Sequence, residues 1–181
     1  MSGDVDTGIA MRAGRALREI HAGDPAGLDG GAPRFEQLRL APYFTGLGVD
    51  HVVERLRATR THLVHGDFSP KNILVGRDLT VLDWEVACAG DPVFDVAFAL
   101  AHLVAKSVHL PAHREPLLTA CRCLLAGYGP GLDEPWLAEL LGALLLARVD
   151  GMSRLTYLSA GARSTVRDLA RSLLAGGRPP W

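Results

Sequence analysis

Residues 63–75 read LVHGDFSPKNILV, and the fold of this chain turns on how that stretch is parsed. Thr61-His62-Leu63-Val64-His65 has the texture of a strand, as do Asn72-Ile73-Leu74-Val75 and Leu79-Thr80-Val81-Leu82. The short link Gly76-Arg77-Asp78 predicts a hairpin between the last two. The intervening residues, His65-Gly66-Asp67-Phe68-Ser69-Pro70-Lys71-Asn72, then form a loop between strands. That loop carries a carboxylate at Asp67 and an amide at Asn72, where the next strand begins. Eleven residues after Asn72 comes Asp83-Trp84-Glu85. Antiparallel neighbours start where their partners finish, so the hairpin sets the Asn72 end beside the Asp83 end. Three oxygen-bearing side chains converge at one edge of a small β island.

Outward from that island the texture is helical. Upstream, Ile9, Ala13, Ala16, Leu17 and Ile20 mark one stripe of a 3.6-residue repeat. Asp6 or Thr7 suits its N-cap and Gly23 its stop. A Gly- and Pro-rich loop is expected over residues 23–33, with helical pieces over 35–40 and 49–60. Downstream, Asp91 is the expected N-cap and Pro92 the first residue of a buried helix. Further helices are expected over 112–128, 134–149 and 163–175, with residues 127–131 as a breaker. The outline is an α+β domain, mostly α-helical, carrying a small β-hairpin island.

Composition narrows the function. A chain of 181 residues, 48% hydrophobic and 22% charged, can bury a core as one domain. Gly 20 and Pro 11 stay below the ~25–30% of low-complexity chains. A net charge of −1 provides no long-range attraction to nucleic acid or an anionic membrane, and neither is expected as a partner. The basic residues are 17 arginines with only Lys71 and Lys106 beside them, which reflects GC-rich coding more than function. The apolar stretches 93–105 and 136–147 are short of the ~20 residues a membrane span needs. The first residues carry Asp4 and Asp6 with no apolar run, so a cytoplasmic protein is expected. Cys88, Cys121 and Cys123 lack a zinc or redox spacing and read as structural.

Oxygen donors in this arrangement suit Mg²⁺, which takes one or two carboxylates plus substrate phosphates. Phosphoryl transfer needs the same parts: a carboxylate for the attacking hydroxyl and metal ligands from an Asp and an Asn. Asp67 and Asn72 have the Asp-x-x-x-x-Asn spacing of a kinase catalytic loop, and Asp83 follows in order. At these residues the chain resembles the aminoglycoside phosphotransferase and choline kinase group of protein-kinase-like enzymes. The segments LVHGDFSPKNILV and VLDWEVACAGDPVFDVAFAL, with LREIHA upstream, carry the resemblance. It implies ATP and Mg²⁺ as cofactors, Asp67 as catalytic base, and Asn72 and Asp83 as metal ligands. It also implies that His65 shapes the loop and that Asp95 anchors it from the following helix. Asp95 in a first turn could equally favour the helix dipole alone. Lys71 is open between a phosphate contact and solvated surface. For Glu85 the choices are a second metal, a substrate amine, or solvated surface.

The resemblance is to a C-terminal lobe only. No strand-rich N-terminal lobe, glycine-rich phosphate loop or strand lysine precedes the first helix here, so the N-terminal lobe is expected to be absent. Residues 1–60 then form a helical lead-in, 61–92 the catalytic loop and metal-binding hairpin, and 93–181 the helical substrate side. The expected function is ATP-dependent transfer of a γ-phosphate to a hydroxyl of a small molecule, as a truncated or split kinase. The expected partners are the hydroxyl acceptor and an N-terminal lobe in trans, or self-association through an exposed apolar surface. The alternative is a non-catalytic binding or regulatory fragment that keeps the lobe's fold. For a cationic acceptor, Asp133, Glu134, Glu139 and Asp150 are candidate contacts. Arg148 and Asp150 together suit either an internal ion pair or a ligand contact. A hydrolytic metal site from His62, His65 and Asp67 fails, because strand positions three apart face opposite sides.

Overall fold

The computed structural model describes residues 5–28 and 31–181. Helix α1 (Thr7–His21) starts where the Asp6 carboxylate accepts from the backbone N–H of Gly8 and Ile9, at 2.8 and 3.2 Å. It buries Ala13, Gly14 and Leu17 against α6 (Arg114–Tyr128). Two glycines let these helices touch backbone to backbone. A Cβ on Gly14 would lie 2.0 Å from the Leu124 oxygen, and one on Gly127 would lie 2.1 Å from the Met11 oxygen. Gly127 therefore belongs to α6, not to the expected breaker, and the helix ends at Gly129 with φ 85°.

The lead-in has the two expected helical pieces, but the first is longer than expected and takes in the end of the expected loop. A continuous helical run goes from α2 (Ala32–Phe35) through a π-type turn (Glu36–Leu40) into α3 (Ala41–Phe44). Pro42 explains the turn: it has no N–H to donate to the Leu38 carbonyl in an α-helical ladder. The Arg39 guanidinium donates to that carbonyl instead, at 2.9 Å. Helix α4 (Asp50–Ala58) follows.

Four short strands form two ribbons. β2 (Ile73–Val75) and β3 (Leu79–Val81) pair antiparallel, Ile73 opposite Val81, as the turn residues predict. β1 (His62–Val64) pairs with β4 (Cys88–Gly90), Val64 opposite Cys88. β4 was not expected, because Cys88-Ala89-Gly90 has neither alternation nor β-branched residues. It exists as a strand because β1 supplies the ladder. Arg12 of α1 donates to the Gly76 and Arg77 carbonyls, which holds the hairpin turn against the helical body.

Helix α5 (Val93–His109) runs through the centre, with Val93 to Ala101 buried on every side. It packs against α6 and against α7 (Glu134–Asp150), and α8 (Ala160–Leu174) covers α7. The start of α5 falls one residue later than expected, with Pro92 as N-cap. Asp91 still contributes: Oδ1 accepts from the Val93 N–H and Oδ2 from the Trp136 indole N–H, at 2.9 and 2.8 Å. That second bond ties the end of the β region to α7. Among the described residues no helix is long and apolar enough to cross a membrane.

Candidate active site

The loop after β1 is held by its neighbours more than by its own residues. Asp95, fully buried in the first turn of α5, accepts from the His65 N–H at 2.7 Å through Oδ2. Its Oδ1 accepts from the Gly66 N–H at 2.8 Å. One carboxylate thus satisfies two successive backbone donors, which a helix-dipole role alone would not require. Gly66 has φ 79°, and a Cβ there would sit 3.0 Å from the Val86 carbonyl oxygen. Only glycine meets both conditions.

His65 knits the loop to the far end of the hairpin. Its Nδ1 accepts from the Asp67 N–H at 3.1 Å, so the proton sits on Nε2, which donates to the Leu82 carbonyl at 2.9 Å. The Trp84 ring packs edge-on against it, 4.7 Å between centroids. Asn72 completes the turn by donating Nδ2 to the Asp67 carbonyl at 2.9 Å. The Leu82 N–H donates to the Asn72 carbonyl at 2.8 Å. The backbone of Asn72 and the residue before Asp83 are therefore in direct contact.

The Asp67 side chain is buried, and its Oδ2 meets two cations. Arg39 Nη2 and Lys71 Nζ each lie 2.9 Å away. Arg39 also donates Nε to the Gly66 carbonyl at 2.6 Å. Arg39 was not among the residues expected here. It lies 28 residues before Asp67 inside an unremarkable helical pattern, so no local signal marks it. Asp83 is exposed and its backbone is left-handed, φ 65°, a conformation Asp tolerates better than most residues. Among the described residues its carboxylate has no hydrogen-bond or ion-pair partner. Glu85 is exposed and paired with Arg34 at 2.6 Å.

The model of the phosphotransferase enzyme family, APH, matches residues 1–138, most of the chain and all of the loop just described. The chain belongs to that phosphotransferase family. It is also similar to acyl-CoA dehydrogenase family member 10 of Mus musculus, 45% identical over 56 residues. That stretch covers 28% of this chain and 5% of the mouse protein, so the chain spans a small part of that relative's length.

In this phosphotransferase-family chain the donor set suits a hard cation. Asn72 commits its NH₂ to Asp67, which leaves Oδ1 as a lone-pair donor, and the Asp83 carboxylate is unpaired. No group of three or more His, Cys, Asp or Glu side chains able to hold a metal occurs among the described residues. Two protein oxygens with phosphates filling the rest is how Mg²⁺ is commonly held. Nucleophilic chemistry does not suit the two buried thiols. Burial pushes the Cys88 thiol up to about 11 and the Cys121 thiol up to about 12, and all three cysteines are free.

Three of the four acidic candidates on the helical side are engaged elsewhere, while Glu134 is exposed at the start of α7. Asp133 caps α7 through the Trp136 N–H and pairs with Arg55, while Glu139 pairs with His51. Asp150 pairs with Arg167, at 2.6 and 2.8 Å, not with Arg148. His21, at the end of LREIHA, spans from Asp95 to the Tyr128 hydroxyl, at 3.2 and 3.0 Å. It is a further support of the loop, and its place in that motif is the signal that could have found it.

Proposed function

We propose that this chain transfers the γ-phosphate of ATP to a hydroxyl of a small molecule. Asp67 would take the hydroxyl proton as the acceptor oxygen bonds to the γ-phosphorus and the bond to the bridging oxygen of ADP breaks. Asn72 and Asp83 would hold Mg²⁺, which supplies charge neutralisation across the phosphates. Lys71, largely exposed beyond Asp67, would reach a phosphate. His65 and Asp95 would keep the loop in shape, and Glu85 would reach a second metal or the substrate if it left Arg34. The observation that supports this reading is the run of hydrogen bonds that fixes the loop backbone, Gly66 to Asp95, Asn72 to the Asp67 carbonyl and Leu82 to the Asn72 carbonyl.

In this reading residues 1–181 act as a kinase-like C-terminal lobe in the cytoplasm, completed by an N-terminal lobe in trans or by self-association. Leu74 and Val75, more than half exposed, and Leu82 and Trp84 beside them support such a contact next to the site. A second reading, a non-catalytic binding or regulatory fragment, is favoured by the two cations on Asp67 Oδ2, which hold one of the two oxygens of the assigned base in ion pairs.

Transfer of labelled phosphate from Mg·ATP to a panel of hydroxyl compounds separates the two, measured with and without a supplied N-terminal lobe. Asp67→Asn should lower transfer about 10²–10⁴-fold. Transfer unchanged by that substitution refutes the assigned base. Absence of both transfer and Mg·ATP binding under either condition favours the second reading.

A further inference from the structure

Arg39 meets Asp67 with a head fixed from three sides. Nε donates to the Gly66 carbonyl at 2.6 Å, Nη1 donates to the Leu38 carbonyl at 2.9 Å, and Nη2 lies 2.9 Å from Asp67 Oδ2. The side chain is only 12% exposed. The Leu38 carbonyl is the one to which Pro42 has no N–H to donate, so the break in the helical ladder and the grip on Asp67 are one construction. Turns of this π type recur at functional sites. Lys71 is held differently. Its ammonium also lies 2.9 Å from Oδ2, but the side chain is 66% exposed and ends a flexible stem. It is free to leave for a phosphate while Arg39 stays. Arg148, another half-buried arginine, donates to Tyr43, Ser153 and His102, none of them in the loop.

Both cations sit on the same oxygen. Asp67 Oδ1 has no hydrogen-bond or ion-pair partner among the described residues. It is not sealed either, because the single sealed side-chain oxygen or nitrogen without a partner among those residues is Ser69 Oγ. Oδ1 is therefore the oxygen that a molecule arriving from solvent can reach. A carboxylate close to the phosphates of ATP is repelled by them, and a cation beside it offsets that repulsion. The guanidinium supplies such a charge at a fixed place, and its planar head sets the direction of the carboxylate as a flexible ammonium does not.

We infer that Arg39 is a positioning residue for phosphotransfer: it holds Asp67 Oδ2, so that Oδ1 receives the proton of the acceptor. This rests on the phosphotransfer reading of Asp67 and adds which atom acts and what aims it. In the step, the hydroxyl proton passes to Oδ1. The electron pair left on the acceptor oxygen forms the bond to the γ-phosphorus, and the bond from phosphorus to the bridging oxygen breaks with its pair going to ADP. Arg39 acts through Asp67 and not on either substrate. Its loss therefore misaims the base without weakening the binding of ATP or acceptor, and a misplacement of about 1 Å costs up to about 10²-fold in rate.

The test is the phosphate-transfer assay on the full chain, with kcat and KM measured for Mg·ATP and for an accepted hydroxyl compound. Arg39→Gln should lower kcat about 10–10²-fold and leave both KM values within about twofold. Arg39→Lys keeps the charge and loses the fork, so it should recover part of kcat. Arg57→Gln is the control: Arg57 pairs with Glu36 on the same turn and has no hydrogen bond to the loop among the described residues, so kcat should not change. An unchanged kcat in Arg39→Gln, a rise in KM in place of the fall in kcat, or an equal loss in Arg57→Gln overturns the proposal. If Arg39→Gln fails to fold, Arg39→Lys decides: a lowered kcat at unchanged KM supports the role, and full kcat overturns it. Transfer lost in Asp67→Asn but intact in Arg39→Gln removes the role of Arg39 and leaves phosphotransfer standing. An unaltered chain that transfers no phosphate, with or without a supplied N-terminal lobe, overturns the phosphotransfer reading and this assignment with it.

Discussion

Replacing Asp95 with Asn probes the loop's main anchor while preserving side-chain size. In the native protein its two oxygens accept from the His65 and Gly66 N–H groups at 2.7 and 2.8 Å, and His21 sits 3.2 Å from Oδ2. The side chain is fully buried, so water cannot replace a lost partner. An amide keeps one oxygen, which retains one backbone bond. Its NH₂ then faces the other backbone N–H, two donors opposed, and that N–H is orphaned. A hydrogen bond to a charged group contributes about 1.5–3 kcal/mol, and an orphaned buried donor costs about 1–3 kcal/mol. These overlap in the same lost bond, so the expected cost is about 3 kcal/mol. For a domain of this size each kcal/mol is worth about 2–4 °C in Tm, so melting should fall by about 6–12 °C. Thermal unfolding with amide exchange read at His65 and Gly66 is the assay. The two amides should exchange faster than in the unaltered chain, and by more than those of β1. A melting point within about 2 °C of the unaltered chain, with exchange unchanged, would refute the anchoring role.

Gly14→Ala should be strongly destabilising, at the top of or beyond the ~1–3 kcal/mol of ordinary overpacking, because its Cβ meets a backbone oxygen and not a movable side chain. Urea unfolding measures it, and a loss below about 1 kcal/mol would show that α1 and α6 can separate cheaply. His102 offers a pH test. Its folded value of about 4 lies below the ordinary 6.5, so the unfolded chain binds the extra proton between those values. Stability from this group is present above about 6.5 and is lost as pH falls towards 4, on the order of 3 kcal/mol at 1.36 kcal/mol per unit. Arg148, Asp67, Lys71 and Lys106 are the charges that act on it. His102→Gln keeps an acceptor for Arg148 and cannot titrate, so unfolding followed across that range should show a flatter pH dependence. An unchanged slope would place the titration elsewhere.

Much of the loop and hairpin was legible because its signals are local. Strand texture around Gly76-Arg77-Asp78 predicts the β2–β3 ribbon, and Asp6 before an apolar stripe predicts the start of α1. The neighbourhood of Asn72 and Asp83 follows from hairpin geometry alone, and the Leu82–Asn72 hydrogen bond realises it. Arg39, β4 and the partner of Asp150 were not legible. Arg39 reaches Asp67 only because Pro42 reshapes its helix and the lead-in folds back over the loop. β4 has no strand pattern of its own and needs β1 to be one. Asp150 stands two residues from Arg148, yet neighbours two apart on a helix point to different sides. α8 brings Arg167 to the side that Asp150 faces.

By itself the amino-acid order determined the helices, the hairpin and the oxygen donors along the loop, because hydrophobic period, turn residues and spacing act within a few residues of chain. Which charges those donors meet was decided only when distant segments packed. Ion pairing and burial depend on separations in space, and the same arginine is solvated surface or a clamp on Asp67 according to what folds against it.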